Sequence, residues 1–386
     1  MPETSLIFPA QEFRGRVARV QAAMAAAGAE ALLLTMPEDI FYITGFLTRF
    51  WESPARPWFV IVPAKGDPVA VIPAIGVDLM SRTWITHIRS WPAPDPRDDG
   101  VSLLAETLCD LVPDRGAVAI PMGPETHLHA PLGHYDAVKR HLGQRRIIDG
   151  THLIQSVREI KSEAEITKIR ETCGIADRAY ARVPEFAREG VPLDQVFRDF
   201  QIALLQEGAD WVSYVAGGAG QGGYTDVISP AAAQPLLAGD ILMLDTGAVR
   251  DGYFCDFDRN FAIGTPTDTL RRAQEALWQA TQSVLQTLRP GHLACDVHRM
   301  LDDALRASGA TTGGGRLGHG LGIALTEWPS FTPLDTTLLR AGMVLTLEPG
   351  VDLGQGRILV HEENIVLRDN GPELLSTRAP QEMVIL

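Results

Sequence analysis

No run of about 18 consecutive apolar residues occurs in this chain, which argues against a helical membrane span. The opening "MPETSLIFPAQEF" lacks the basic head and apolar block of a secretory leader, so a cytoplasmic protein is expected. Cysteine is scarce. Cys109, Cys173, Cys255 and Cys295 show no CxxC spacing, which disfavours a disulfide framework or a zinc ribbon. Positive charge is short too, with 34 Lys and Arg against 48 Asp and Glu and a formal net charge of -14. With no Lys/Arg-rich run to offset that balance, nucleic acid and anionic membranes are unsuitable partners, and small molecules or peptides remain. A GxGxxG turn between strand and helix is also missing, so no dinucleotide site is expected.

What is present suits a globular α/β chain. At 386 residues and 45% hydrophobic, it can bury a sizeable core and is expected to form two domains. Phe13, Val17, Val20 and Met24 recur at helical spacing between Gln11 and Ala27, and Gly28 stands where a helix stop belongs. Strand-like runs "ALLLT", "FVIVP", "VAVIP" and "AVAIP" alternate with helix-like segments at Leu103–Leu111 and His134–His141. The Pro/Asp-rich "WPAPDPRDDG" reads as a surface loop. His127 and His129 form an HxH pair without a supporting acid or cysteine, and are read as loop residues rather than ligands. Ser162 and Glu165 make an S-x-x-E capping box ahead of a long helix, which places the domain boundary at 155/156.

The second domain is read as a helix marked by Val196, Phe200 and Leu204, then a Gly-rich loop "AGGAGQGG". After these comes "LMLDTGAVRDGYFCDFDRNF", followed by helices near Thr269–Leu288 and Cys295–Ser308 and the His-bearing "GGGRLGHGLGIALTEWP". If "ILMLD" and "YFCDFDRNF" form a hairpin turning at Asp251-Gly252, period-two alternation puts Asp245 and Asp256 on one face. Two such carboxylates repel unless a proton or a cation lies between them. Alternatively, Asp245 is a strand-end residue in water or pairs with Arg259.

The same oddity recurs in "GMVLTLEPG", which ends on Glu348, and in "RILVHEENIVL", which carries Glu362 and Glu363. Isolated buried carboxylates cost several kcal/mol, so three apolar segments bearing acids imply a shared counter-charge. Divalent metal would supply it. His319 adds an imidazole among small neighbours, and oxygen-rich ligation with one histidine suits manganese, iron, cobalt or zinc.

In order, D-x-G, the second aspartate, GHGxG, EPG and a last Glu before an apolar strand and "DNG" resemble the five-ligand site of the M24 metallopeptidases. That superfamily includes methionine aminopeptidase, Xaa-Pro aminopeptidase, prolidase and creatinase. "EDIFYITGF" is similar to the N-terminal signature of the prolidase and creatinase branch, and "REIKSEAEI" to its linker helix. The resemblance implies a creatinase-type N-terminal α/β domain (1–155), a pita-bread catalytic domain (156–386) and a homodimer. It implies two divalent ions, manganese first, with zinc, cobalt or iron as substitutes. Asp245 would bind one ion, Asp256 and Glu362 would bridge, and His319 and Glu348 would bind the second. Glu363 is a rival to Glu362, which is preferred for its distance to Gly371. Such ions acidify a water and polarise the scissile carbonyl, and Glu348 is the residue expected to pass a proton to the leaving nitrogen.

The expected activity is hydrolysis of the bond before proline in dipeptides or peptides. Departures from the pattern keep open an M24 enzyme acting on an amide, amidine or betaine-like small molecule, and a non-catalytic or metal-free creatinase-like protein. Thr326 stands where the Xaa-Pro branch has a second histidine, "YTDVISPAAAQPLLAGD" lacks another, and Val360 replaces an arginine. A hydroxyl cannot act as an imidazole near neutral pH. Thr326, Trp328 and His361 are the candidates for substrate contact.

Overall fold

The structure, a computed structural model, describes residues 7–53, 56–312 and 314–386. The first six residues, Pro54 and Ala55 of "TRFWESPARPW", and Gly313 of the glycine run before His319 lie outside the described residues. The chain divides into two compact units, Met1–Arg158 and Glu159–Leu386.

In the first unit, β1 (Ala31–Leu34), β2 (Phe59–Pro63), β3 (Val69–Pro73), β4 (His87–Trp91), β5 (Ala117–Ile120) and β6 (Arg146–Asp149) form one sheet. Its order is β4-β3-β2-β1-β5-β6, antiparallel at β1/β2 and β2/β3 and parallel elsewhere. The central strands are the continuous apolar runs read from the sequence, as expected for strands buried on both faces. The two edge strands, β4 and β6, mix polar and apolar residues and give no such signal. Helix Ala10–Ala27 buries Phe13, Val17, Val20 and Met24 and stops at Gly28, which adopts the left-handed φ of 66°. Helices Val101–Leu111 and Leu132–His141 begin two residues before the segments their periodicity marks. His127 and His129 lie in irregular chain between β5 and the second of these helices.

The second unit contains β7 (Trp211–Gln221), β8 (Asp240–Arg250), β9 (Tyr253–Phe254), β10 (Phe257–Ala262), β11 (His319–Gly320) and β12 (Glu327–Ser330). They are followed by β13 (Val344–Leu347), β14 (Gly350–Gly354), β15 (Arg357–Val360), β16 (Glu363–Arg368), β17 (Gly371–Leu374) and β18 (Val384–Ile385). One sheet runs β18-β10-β8-β7 with β9 on β8, a second runs β12-β11-β13-β16-β17, and β14 pairs with β15. Helices Asp268–Thr287 and Ala294–Ala307 cover a core built from both sheets, including Leu277, Leu301, Leu345 and Ile365. The capping box is formed: Ser162 Oγ accepts from Glu165 N at 3.3 Å, and the Glu165 carboxylate accepts from Ser162 N at 3.0 Å. It opens helix Glu163–Ala181.

The structure corrects one expectation. The glycine run is not a loop, because Ala216–Gln221 completes β7 against β8. Gly217 has φ 137°, and a Cβ there would lie 2.1 Å from the Met243 carbonyl oxygen. Glycine therefore serves close strand approach here, which composition alone cannot tell from loop flexibility.

Candidate metal centre

The hairpin that presents the aspartates turns at Asp251 and Gly252, both with positive φ (52° and 79°). This is the two-residue turn whose twist suits flanking strands. Its register pairs Arg250 with Tyr253 and Asp245 with Asp258. Between Phe254 and Phe257 the strand lapses, and Asp256 stands in the gap. Tyr214, on β7, donates its hydroxyl to Asp256 Oδ1 at 2.6 Å and lies 3.1 Å from Asp245 Oδ2. A phenol has one proton, so the second contact needs another from the Asp245 carboxyl. Burial first, then Asp256, Asp258 and Glu348, push that carboxyl well above its usual range.

His319 opens β11, and its Nδ1 lies 2.8 Å from the Gly320 carbonyl, a contact that requires the proton on Nδ1. Its Nε2 faces Asp256 Oδ2 at 3.3 Å. A ring nitrogen and a carboxylate oxygen at that distance have a proton or a cation between them. Ligand atoms of Asp256, His319 and Glu362 all fall within 4.8 Å of one another, and all three residues are buried. Among the described residues, Asp245 Oδ1 and Glu362 Oε1 are buried without a hydrogen-bond partner. Burial, followed by Asp256 and Glu348, raises the Glu362 carboxyl well above its usual range. Glu348 follows β13 and is raised by burial; His319 and Arg316 oppose the rise and Asp256 adds to it. This donor set, acidic, dehydrated and unsatisfied, fits a divalent cation.

The tandem acids point to different surroundings, as alternation requires. Glu363 accepts from Arg259 at 3.1 Å, Arg378 at 3.2 Å, Ser376 Oγ at 2.6 Å and Ala379 N at 2.7 Å. Burial would raise its carboxyl, but Arg259 and the hydrogen bonds from Ser376 and Ala379 hold it below its usual range. Arg259 is thus engaged with Glu363 and not with Asp245. His361 places Nε2 3.0 Å from Arg378 Nη1 and 3.6 Å from Glu363 Oε1. Burial lowers its pKa to about 3, so the ring is neutral. Thr326 is half-buried in the bend before β12, and Trp328 is half-buried within it. Glu327 between them is buried, with Oε2 2.9 Å from Lys161 Nζ and Oε1 accepting from Ile323 N and Ala324 N. Tyr214 and Lys161 escape a reading of the sequence, because one hydroxyl in a strand and one lysine before a helix carry no motif.

The raised carboxyls have a consequence for stability. Asp258 is lifted to about 7 by burial, and Asp245, Glu348 and Glu362 are lifted as well. Each such group contributes stability fully below its unfolded pKa of about 4 and loses it as pH rises through the folded value. A divalent cation, which binds the deprotonated forms, reverses that loss. The melting temperatures of Mn²⁺-loaded and chelator-stripped protein should therefore separate by several degrees more at pH 8 than at pH 5. Calorimetric scans across that range check it, and a pH-independent gap would rule it out.

Residues 167–369 match the metallopeptidase family M24, and residues 16–160 match the creatinase/prolidase N-terminal domain. The chain belongs to the M24 metallopeptidases, a family that implies divalent metal, and it is an enzyme of the peptidase class with a creatinase-type N-terminal domain and a pita-bread catalytic domain. It is 29% identical over 385 residues to the "Probable dipeptidase PepE" of Mycobacterium tuberculosis, covering 98% of each chain. It is also 29% identical over 276 residues to the Xaa-Pro dipeptidase of Pyrococcus horikoshii, covering 68% of this chain and 74% of that one. The crystal structure of dipeptidase PepE from Mycobacterium ulcerans superposes with a TM-score of 0.83 at 27% identity, over 98% of this chain and 99% of that chain. Among the described residues, no helix is long and apolar enough to cross a membrane.

Proposed function

We propose that this protein is a dinuclear-metal peptidase that cleaves the bond before proline in Xaa-Pro dipeptides or short peptides. Asp245, Asp256, His319, Glu348 and Glu362 are the residues that would hold the metals. The observation that carries the reading is the pair of buried carboxylate oxygens without a hydrogen-bond partner among the described residues, Asp245 Oδ1 and Glu362 Oε1, beside Asp256 Oδ2 and His319 Nε2, which face each other at 3.3 Å. Bound divalent metal supplies Lewis acidity toward a water and the scissile carbonyl. The protein's own groups do the rest. Tyr214 orients the Asp256 carboxylate, and the Gly320 carbonyl orients the His319 ring. Glu348, only half-buried and raised by that burial, can hold a proton closer to neutrality than an ordinary carboxyl and deliver it to the leaving nitrogen. The relatives named dipeptidase and Xaa-Pro dipeptidase support the substrate class.

Thr326 favours a second reading, a small amide or amidine substrate, because the imidazole of the Xaa-Pro branch is replaced there. Incubating Mn²⁺-loaded protein with Xaa-Pro dipeptides, longer Xaa-Pro peptides and matched peptides without proline separates the two. Mass spectrometry should show release of the residue before proline. Cleavage confined to proline-free peptides would overturn the specificity, and an untouched mixture would favour the small-molecule reading.

A further inference from the structure

The three residues whose ligand atoms converge share a feature of their backbones. Each N–H is taken by a buried side-chain oxygen rather than by a neighbouring strand. Asn364 Oδ1 accepts from Asp256 N at 3.0 Å, Thr346 Oγ1 from His319 N at 3.1 Å, and Asp258 Oδ1 from Glu362 N at 2.8 Å. Asn364 also donates from Nδ2 to the Asp256 carbonyl, so its amide grips both polar groups of that residue. Thr346 and Asn364 are direct cross-strand partners in the β13/β16 ladder, and both are fully buried.

The reason lies in where the three residues sit. Asp256 fills the gap between β9 and β10, Glu362 immediately precedes β16, and His319 opens β11 at a register shift. At each point the ladder cannot supply an acceptor, and a buried N–H left without one is costly. Side-chain acceptors solve this while permitting a backbone path that no regular strand allows.

We propose that Asn364, Thr346 and Asp258 are positioning residues for the metal centre, setting the aim of Asp256, His319 and Glu362 through their backbone N–H groups. The inference rests on the reading that those three residues hold metal. Partners of this kind commonly carry a ten- to hundredfold share of metal affinity.

Thr346→Val keeps the side-chain shape and removes the acceptor. Asn364→Leu removes both bonds to Asp256, and Thr346→Ser restores the hydroxyl. The test titrates chelator-stripped, full-length protein with Mn²⁺ by calorimetry, and compares kcat and KM at saturating Mn²⁺ on any peptide the native protein cleaves. Thr346→Val and Asn364→Leu should bind Mn²⁺ about 10- to 100-fold more weakly, with kcat reduced and KM little changed. Thr346→Ser should stay close to native. A merely structural role would lower the melting temperature of the metal-free protein and leave Mn²⁺ affinity and kcat intact, and that result overturns the proposal. If Asn364→Leu does not fold, Thr346→Val decides alone. Native protein that takes up no Mn²⁺ would overturn the metal reading and this inference with it, whereas equal uptake by native and variants would overturn this inference only.

Discussion

Asp256→Asn is expected to abolish tight metal uptake and to lower kcat/KM by about 10³-fold or more, since Lewis-acid assistance supplies several kcal/mol of transition-state stabilisation. The side chain touches Tyr214 through one oxygen and faces His319 with the other, within 4.8 Å of a Glu362 oxygen. Its charge also raises the Asp245, Glu348 and Glu362 carboxyls. Removing that charge should therefore leave the metal-free protein as stable as the parent or more so, because the remaining acids lose a repulsive neighbour. Loss of function with unchanged or raised melting temperature distinguishes a metal ligand from a structural acid. Elemental analysis of the purified variant beside its thermal scan checks both halves. A variant that still retains tightly bound metal would refute the assignment.

The tandem acids should behave oppositely. Glu363→Gln leaves the buried Arg259 and the half-buried Arg378 beside a neutral amide, and breaking such a network costs about 3–5 kcal/mol. Metal uptake should persist in that variant. Glu362→Gln removes an acid that, among the described residues, has no cation partner and one unsatisfied oxygen, so it should lose metal while costing the metal-free fold little. Urea denaturation of stripped protein, run beside Mn²⁺ titration, reads both effects. Exchanged phenotypes would make Glu363 the ligand.

Much of this architecture is legible in residue order. Continuous apolar runs mark the central strands of the first sheet, the Phe13 to Met24 spacing marks a helix, and Asp251-Gly252 marks the hairpin turn. The acids of the second unit are visible because each interrupts an apolar run, which is energetically anomalous whatever the fold. Partners remote in sequence stay hidden. Nothing in "HEENIVL" says that Glu363 will meet Arg378 and Ser376, or that Asn364 will clamp the backbone of Asp256. Tyr214 is hidden for the same reason, since its place between two carboxylates depends on the β7/β8 register. Edge strands β4 and β6 escape notice because a half-exposed strand needs few apolar residues, and the glycine run misleads because glycine serves both turns and tight strand contact.

The Lys161–Glu327 ion pair limits where the chain can be cut. Lys161 belongs to the unit that begins at Glu159, although the M24 match begins at residue 167. A fragment starting at residue 167 would omit the Lys161 ammonium, 2.9 Å from Glu327 Oε2, and the Ser162 cap of helix Glu163–Ala181. Its Glu327 carboxylate, which accepts from Ile323 N and Ala324 N in the bend that carries Thr326, would lose that ion pair. Autonomous expression of the peptidase portion therefore requires an upstream end at or before Glu159, and shorter pieces should accumulate as insoluble material.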